Sequence, residues 1–461
     1  MLDQPRMTLN AISLFSSAGI GDLAFQRLPV RVLVSCELLE DRHQVYQANF
    51  PDTHALTGDI WKLWPQIVSE THARLDGGAL DILFATPPCQ GMSKNGRGKL
   101  LQAVRNGSKP ALDVRNRLII PTLKVAQSLK PRLIVLENVP EMENTLIMSE
   151  GGRLVPILDL VREELGPEYD GEARVVEFAD YGVPQRRQRL ITVFTRDAAM
   201  LSLFKRRRSL HPRPTHSQNG GGKPPWVTVR DVISHMPPLD AGSPDTARGD
   251  DALHFVPLLD EDKYFWVRHT PPEKGAFDNQ CVACGHDKNP CHGNFRDEGG
   301  INRASRETPL HCLKCGTLLP RPWVRNKETG AHRLMRGYTS AYKRMSWDLP
   351  ASALTTNLAY ACSDNKLHPE QHRVLSLREA LMLHTITDFE YRFERADGKK
   401  VTSGLIYEII GESIPPRGLE VFFREWTDVL RGGADVVMKG DWAASDLPLF
   451  HNSMAQLAKS A

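Results

Sequence analysis

The chain has 461 residues, 41% hydrophobic and 25% charged, the composition of an ordinary folded protein long enough for a large domain and a smaller one. No apolar run approaches the roughly 18 residues of a membrane helix, and the start, MLDQPRMTLNAISLF, lacks the order of a secretory signal, so a cytoplasmic protein with no membrane attachment is expected. The formal net charge of +3 does not by itself announce a polyanion partner.

Charge is distributed unevenly, however. Residues Lys94 to Arg117 hold seven Lys/Arg against Asp113, Lys205 to Arg230 seven and no acid, and Arg321 to Arg344 seven against Glu328. Three basic segments, each beside a candidate functional element, point to nucleic acid.

In chain order, AISLFS, VRVLVSCE, DILFAT, RLIVLENV, ARVVEFA and RLITVFT are short, β-branched and followed by turns, as buried strands are. Helices are predicted between them at Asp41 to Asn49 and Leu118 to Leu129. This alternation predicts an α/β fold with a doubly wound, mostly parallel sheet and ligands at the carboxyl ends of its strands. After Thr195 comes a basic, Gly/Pro-rich stretch, KRRRSLHPRPTHSQNGGGKPPW, which reads as a linker or an exposed strap, and then a less regular region to about residue 365. Helical periodicity returns in SLREALMLHTI and PRGLEVFFREWTDVL; residues 432–461 form a tail without signal.

The stretch SLFSSAGIGDLAF sets a strand before small residues, Ser16, Ser17, Ala18, Gly19 and Gly21, which let a ligand approach the backbone. Glu37 ends the second strand, where an acid commonly accepts hydrogen bonds from a ribose, and Asp59 ends a third element. Each could equally cap the helix that follows; together they suggest an adenosine ligand. Cys89 follows DILFATPP, outside the apolar run where a structural cysteine would sit, and at the start of a basic segment that would favour its thiolate. Glu137 and Asn138 lie at another strand end, and Gln185, Arg187 and Arg189 alternate, so that an extended backbone puts them on one side.

In this order the motifs resemble the DNA (cytosine-5)-methyltransferases: LFSSAGIGDL, Glu37, Asp59, Pro88-Cys89-Gln90, Glu137-Asn138-Val139, Gln185-x-Arg187-x-Arg189, and later HPEQHRVLSLREALMLH and IIGESIPPRGLEVFF. The resemblance covers residues 8–200 and 345–430. It implies a Rossmann-like, S-adenosylmethionine-dependent catalytic domain over 1–200, an irregular target-recognition domain over 201–365, a return to the catalytic domain over 366–431, and a flipped cytosine in double-stranded DNA as substrate. It also implies that Cys89 adds to the base, that Glu137, Arg187 and Arg189 complete the catalytic set, and that Phe15, Ser16, Ala18, Gly19, Glu37, Asp59 and Pro88 hold the cofactor. Lys94 to Arg117 would be a loop closing over the flipped base. A monomer is expected, working in bacterial restriction-modification or phage defence beside cognate restriction or defence proteins. The chain departs from the family's pattern at Ser17 for glycine, Ala85-Thr86 for Gly-Gly, and Glu412 for asparagine.

Cys281-x2-Cys284 and Cys312-x2-Cys315, each followed by glycine, read as two knuckles of a structural zinc site in an insertion at about 278–320. A redox pair, or mixed ligation with Cys291, His286, His292 or His311, are the alternatives. The zinc would brace a DNA-reading insertion whose contacts come from Arg321 to Arg344. Two further readings stay open on the sequence alone: the same chemistry on tRNA, and a DNA-binding protein that has lost its activity.

Overall fold

The computed structural model describes residues 8–88, 114–291, 295–296, 302–303, 308–335 and 341–432. Cys89, Gln90, most of the Lys94 to Arg117 segment, His292 and the tail from residue 433 lie outside the described residues.

The short β-branched runs become β1 (Leu9–Leu14), β2 (Val30–Glu37), β3 (His54–Thr57), β4 (Ile82–Ala85), β5 (Leu133–Asn138), β6 (Asp170–Glu177) and β7 (Gln188–Thr195). They form one sheet in the order β3-β2-β1-β4-β5-β7-β6. The first five run parallel, whereas β7 is antiparallel to both β5 and β6. The sheet is therefore mixed but mostly parallel, as expected. Since β1 pairs with β2 on one side and β4 on the other, the chain reverses its strand order there, which opens a crevice at the adjoining carboxyl ends.

Helices cover both faces. On one lie α2 (Ile60–Arg74), α3 (Ile119–Leu129) and α4 (Ile157–Leu165), which build a core with Ile12, Val34, Leu83 and Leu136, whereas α1 (Glu40–Asn49) packs on the opposite face, its His43 Nε2 3.1 Å from Ser35 Oγ and its Tyr46 hydroxyl donating to Asp22. On the other lie α5 (Ala198–Arg207) and a helix from the far end of the chain. That helix, Pro416–Leu430, carries Leu419, Phe422, Phe423 and Trp426, all fully buried, at the spacing of one helical face. Phe423 lies 4.5 Å from Phe25 and 5.3 Å from Phe84, ring centre to ring centre. Each such side chain removed from water contributes roughly 1.5–3 kcal/mol, which is why the end of the chain is fastened to the first sheet.

Residues between 259 and 374 gather into a second, irregular body around α6 (Glu261–Arg268). Its core is aromatic: Trp266 meets Trp323 at 5.1 Å and Tyr342 at 5.5 Å, each nearly edge-to-face. Here the expectation for Arg321 to Arg344 needs correction at its two ends. Arg321 is fully buried and donates to the carbonyls of Pro290 and Pro309, both at 2.8 Å. Arg344, 2% exposed, caps the carbonyls of Thr270, His368, Gln371 and Val267. Both serve as internal clamps on irregular backbone, whose carbonyls need donors when buried. Between them, strands Trp323–Arg325 and His332–Leu334 pair as a hairpin that keeps Arg325, Lys327 and Arg333 exposed.

Candidate active site

A cavity of about 430 Å³ occupies the switch point of the sheet. Its floor is the turn after β1. Phe15 and Ser17 both have positive φ, 59° and 48°, a conformation costing a non-glycine residue about 1–2 kcal/mol, which explains why glycine would suit position 17. The turn is held by Ser16 N–H donating to the Cys36 carbonyl at 3.1 Å and Ser17 N–H donating to the Glu37 carboxylate at 2.9 Å. The other Glu37 oxygen accepts from Leu39 N–H at 2.9 Å. Burial pushes the Glu37 carboxyl above its ordinary range, against these hydrogen bonds and the charge of Arg42. The hydroxyls of Ser16 and Ser17 are buried with no hydrogen-bond partner, an arrangement native proteins seldom leave without a ligand or water.

Of the residues expected to hold a cofactor, Phe15, Ser16, Glu37, Asp59 and Pro88 line the cavity; Ala18 and Gly19 lie behind it. Gly19 has φ +84°, and a Cβ there would sit 2.4 Å from the Phe50 ring, so glycine lets the turn pack onto α1. Asp59 also caps α2, accepting from Trp61 N–H at 3.0 Å, so its two candidate roles coexist.

The approach to Cys89 is clamped from both sides. Thr86 donates through its amide to the Leu14 carbonyl at 3.1 Å and through its hydroxyl to the Phe15 carbonyl at 2.9 Å, and Asn138 Nδ2 donates to the Pro87 carbonyl at 3.0 Å. The threonine in place of glycine thus ties the end of β4 to the turn after β1. Glu137, at the end of β5, pairs with Arg189 Nε at 2.9 Å. Burial raises the Glu137 carboxyl above its ordinary range, although the charges of Arg189 and Arg187 pull it down. Arg187 does not line the cavity; it reaches inward to the carbonyls of Leu354 at 2.7 Å and Gly411 at 2.9 Å.

Several lining residues escaped sequence reasoning. Leu38 and Leu39, 62% and 44% exposed, form an apolar rim directly after Glu37; an apolar pair beyond an acid at a strand end was the available signal. Arg42 pairs with Glu412 across the rim, so the departure from asparagine brings a compensating cation. Exposed ion pairs are worth about 0–1 kcal/mol, and these side chains are 13% and 34% exposed. Glu412→Asn is accordingly expected to change S-adenosylmethionine affinity by no more than about fivefold, measured by titration calorimetry.

In the second body the thiols of Cys281, Cys284, Cys312 and Cys315 converge, with all four sulfurs within 4.8 Å of one another. Among the described residues, neither Cys291, His286 nor His311 joins them. The closest approaches, 3.5 Å for Cys281 with Cys315 and 3.8 Å for Cys284 with Cys312, are too long for a disulfide. They match the sulfur separation of about 3.8 Å that a tetrahedron of 2.3 Å zinc–sulfur bonds requires.

A mostly parallel sheet with a cavity at the switch point, and an acid after the second strand, is the layout of an α/β enzyme that binds a nucleoside-bearing ligand. The family model for C-5 cytosine-specific DNA methylases matches residues 9–427, and the chain belongs to that family. It is similar to the Type II methyltransferase M1.HgaI of Avibacterium volantium, 28% identical over 91% of this chain and 98% of that protein. With M1.HphI of Haemophilus parahaemolyticus it shares 29% identity over 55% of this chain and 60% of the other. A solved structure of a putative DNA modification methyltransferase from an E. coli prophage aligns over 93% of this chain and 99% of its own, at 18% identity and TM-score 0.47. The protein is thus a DNA methyltransferase that uses S-adenosylmethionine and acts at carbon 5 of cytosine. No described helix is long and apolar enough to cross a membrane.

Proposed function

We propose that the protein methylates cytosine within one specific sequence of double-stranded DNA, through a covalent adduct at Cys89, as the modification arm of a restriction or defence system. The observation that carries this reading is the meeting, at one cavity, of the clamped approach to Cys89, the Glu137–Arg189 pair and the turn after β1. The residues fit the cofactor: the unpartnered hydroxyls of Ser16 and Ser17 and the spare acceptor capacity of Glu37 suit a ligand rich in polar groups, and the apolar rim suits a purine face. Phe15, Ser16, Glu37, Asp59 and Pro88 would touch it, with Ala18 and Gly19 shaping the turn. S-adenosylmethionine supplies an electrophilic methyl group.

The protein's own groups supply the rest. Cys89 Sγ, as thiolate, forms a bond to carbon 6 of the flipped base, and the displaced electron pair makes carbon 5 nucleophilic. Glu137, whose carboxyl burial shifts toward its protonated form, donates to N3 and stabilises the charge that develops there. Arg189 reaches the O2 side, and Arg187 fixes its strand to Leu354 and Gly411. After methylation, water takes the carbon-5 proton, the freed electron pair re-forms the carbon 5–carbon 6 double bond, Cys89 Sγ leaves carbon 6 as the thiolate, and N3 returns its proton to Glu137. DNA in which the target cytosine carries fluorine at carbon 5 blocks that last step. Such DNA is expected to form a denaturation-resistant complex with the wild type and none with Cys89→Ala; an equal complex with both would remove Cys89 from the role.

The division into a catalytic domain over 1–200 with a return over 366–431, and a recognition domain over 201–365, follows from the same reading. In the recognition domain, zinc on Cys281, Cys284, Cys312 and Cys315 would supply folding energy where apolar neighbours are few. Arg321 then fastens the two knuckles together, and the exposed Arg325, Lys327 and Arg333 of the hairpin offer the phosphate or base contacts.

A further inference from the structure

His384 ends the helix Leu377–Leu383, is fully buried, and lies outside the cavity wall. Its Nδ1 is 3.0 Å from Gln185 Nε2 and its Nε2 is 3.0 Å from Ser413 Oγ. The orientation of Gln185 is fixed independently, because its Oε1 accepts the Leu354 amide at 3.2 Å. Gln185 therefore presents its NH₂ to the ring, so Nδ1 accepts and Nε2–H donates to Ser413, whose own hydroxyl donates to the Ile410 carbonyl at 3.2 Å. The Gln185, His384 and Ser413 side chains satisfy one another only when the imidazole is neutral.

The two ends of the relay belong to different walls of the active site. Gln185 precedes Arg187 and Arg189 on the segment that completes the Glu137 pair, while Ser413 lines the cavity at the end of helix Ser403–Glu412. Arg187 runs a parallel tie between the same pieces: it donates to the carbonyl of Leu354, the residue whose own N–H donates to Gln185, and also to the Gly411 carbonyl. Gly411 cannot be larger, since a Cβ there would lie 2.1 Å from the backbone nitrogen of Thr356.

We infer that His384 is a positioning residue, a neutral donor–acceptor relay that sets the cofactor wall at Ser413 against the arginine-bearing segment at Gln185. The inference rests on the proposed use of the cavity for the cofactor. A protonated ring would turn an N–H toward the Gln185 amide and add a third cation beside Arg187 and Arg189, and burial with these two charges holds the imidazole well below its ordinary range. The relay therefore stays neutral across the working pH.

A glutamine at 384 can still accept at one end and donate at the other; a leucine fills the space and does neither. The test measures S-adenosylmethionine Kd by calorimetry, single-turnover methyl transfer to DNA at saturating cofactor, and thermal midpoint, well below unfolding. His384→Leu is expected to weaken cofactor binding and slow the single turnover by at least about tenfold each, with His384→Gln within about threefold of the wild type in both. Should His384→Leu fail to fold, Gln185→Met removes the other end of the relay without altering a cavity-lining side chain, and the same loss of cofactor affinity is expected. A lowered thermal midpoint with unchanged affinity and rate in the folded variant would reduce His384 to core packing and overturn the inference. So would a glutamine variant as impaired as the leucine one. Failure of the wild type to methylate DNA would instead overturn the proposed function, leaving the cofactor measurement to judge the relay.

Discussion

Glu137→Gln is expected to lower methyl transfer by about 10²–10⁴-fold while leaving S-adenosylmethionine affinity close to that of the wild type. Glutamine preserves the shape of the side chain and can still accept from Arg189, so the β5 end and the clamp from Asn138 to Pro87 persist. What it lacks is a proton to give to N3. The sign of the pH dependence follows from the raised Glu137 carboxyl, which burial favours in its protonated form. Wild-type single-turnover rates should fall as pH rises through that raised value, and the limb should vanish in the glutamine variant. Stopped reactions with radiolabelled cofactor over a pH series measure both; a variant within threefold of wild type would mean that Glu137 acts only as the partner of Arg189.

The second large effect concerns the four cysteines. One zinc ion per chain is expected by atomic absorption, and Cys281→Ser with Cys312→Ser should abolish it. Structural zinc in small modules is worth an apparent ~10–16 kcal/mol, whereas the apolar material at this site is little more than Leu319 and the two buried cysteines themselves. The knuckles and the Arg321 clamp should then come apart, taking the hairpin's exposed cations with them. Specific DNA affinity is expected to fall by at least about 100-fold, with cofactor binding retained because the cavity is built from other segments. A metal-free wild type that binds its DNA normally would contradict the zinc reading.

Much of the sheet was legible because a parallel strand buried on both faces must be a short continuous apolar run, as ILFA of β4 is. The direction of β6 and β7 was not, since an apolar run carries no sign of its orientation. Acids at strand ends could be found for a related reason: Glu37 and Glu137 interrupt apolar runs where a strand must stop. The clamps at Arg321 and Arg344 were misjudged because a positive charge in sequence says nothing of burial, and the carbonyls that receive them come from distant loops. His384 was invisible for the same cause, its partners lying 199 and 29 residues away. Its helix, SLREALMLH, belongs to a stretch that carries the family resemblance, but helical periodicity there gives His384 no role of its own.

The central claim, sequence-specific methylation of DNA cytosine through Cys89, is tested most directly in a host that has no cytosine methylation of its own. Nucleoside mass spectrometry, followed by bisulfite sequencing of host DNA after expression of the wild type or Cys89→Ala, gives the answer. The expected result is 5-methylcytosine in one fixed sequence context with the wild type and none with the variant. Unmodified DNA in the presence of folded, cofactor-binding wild type would contradict the claim, and the same measurement on host tRNA would then decide whether the chemistry acts on another polymer.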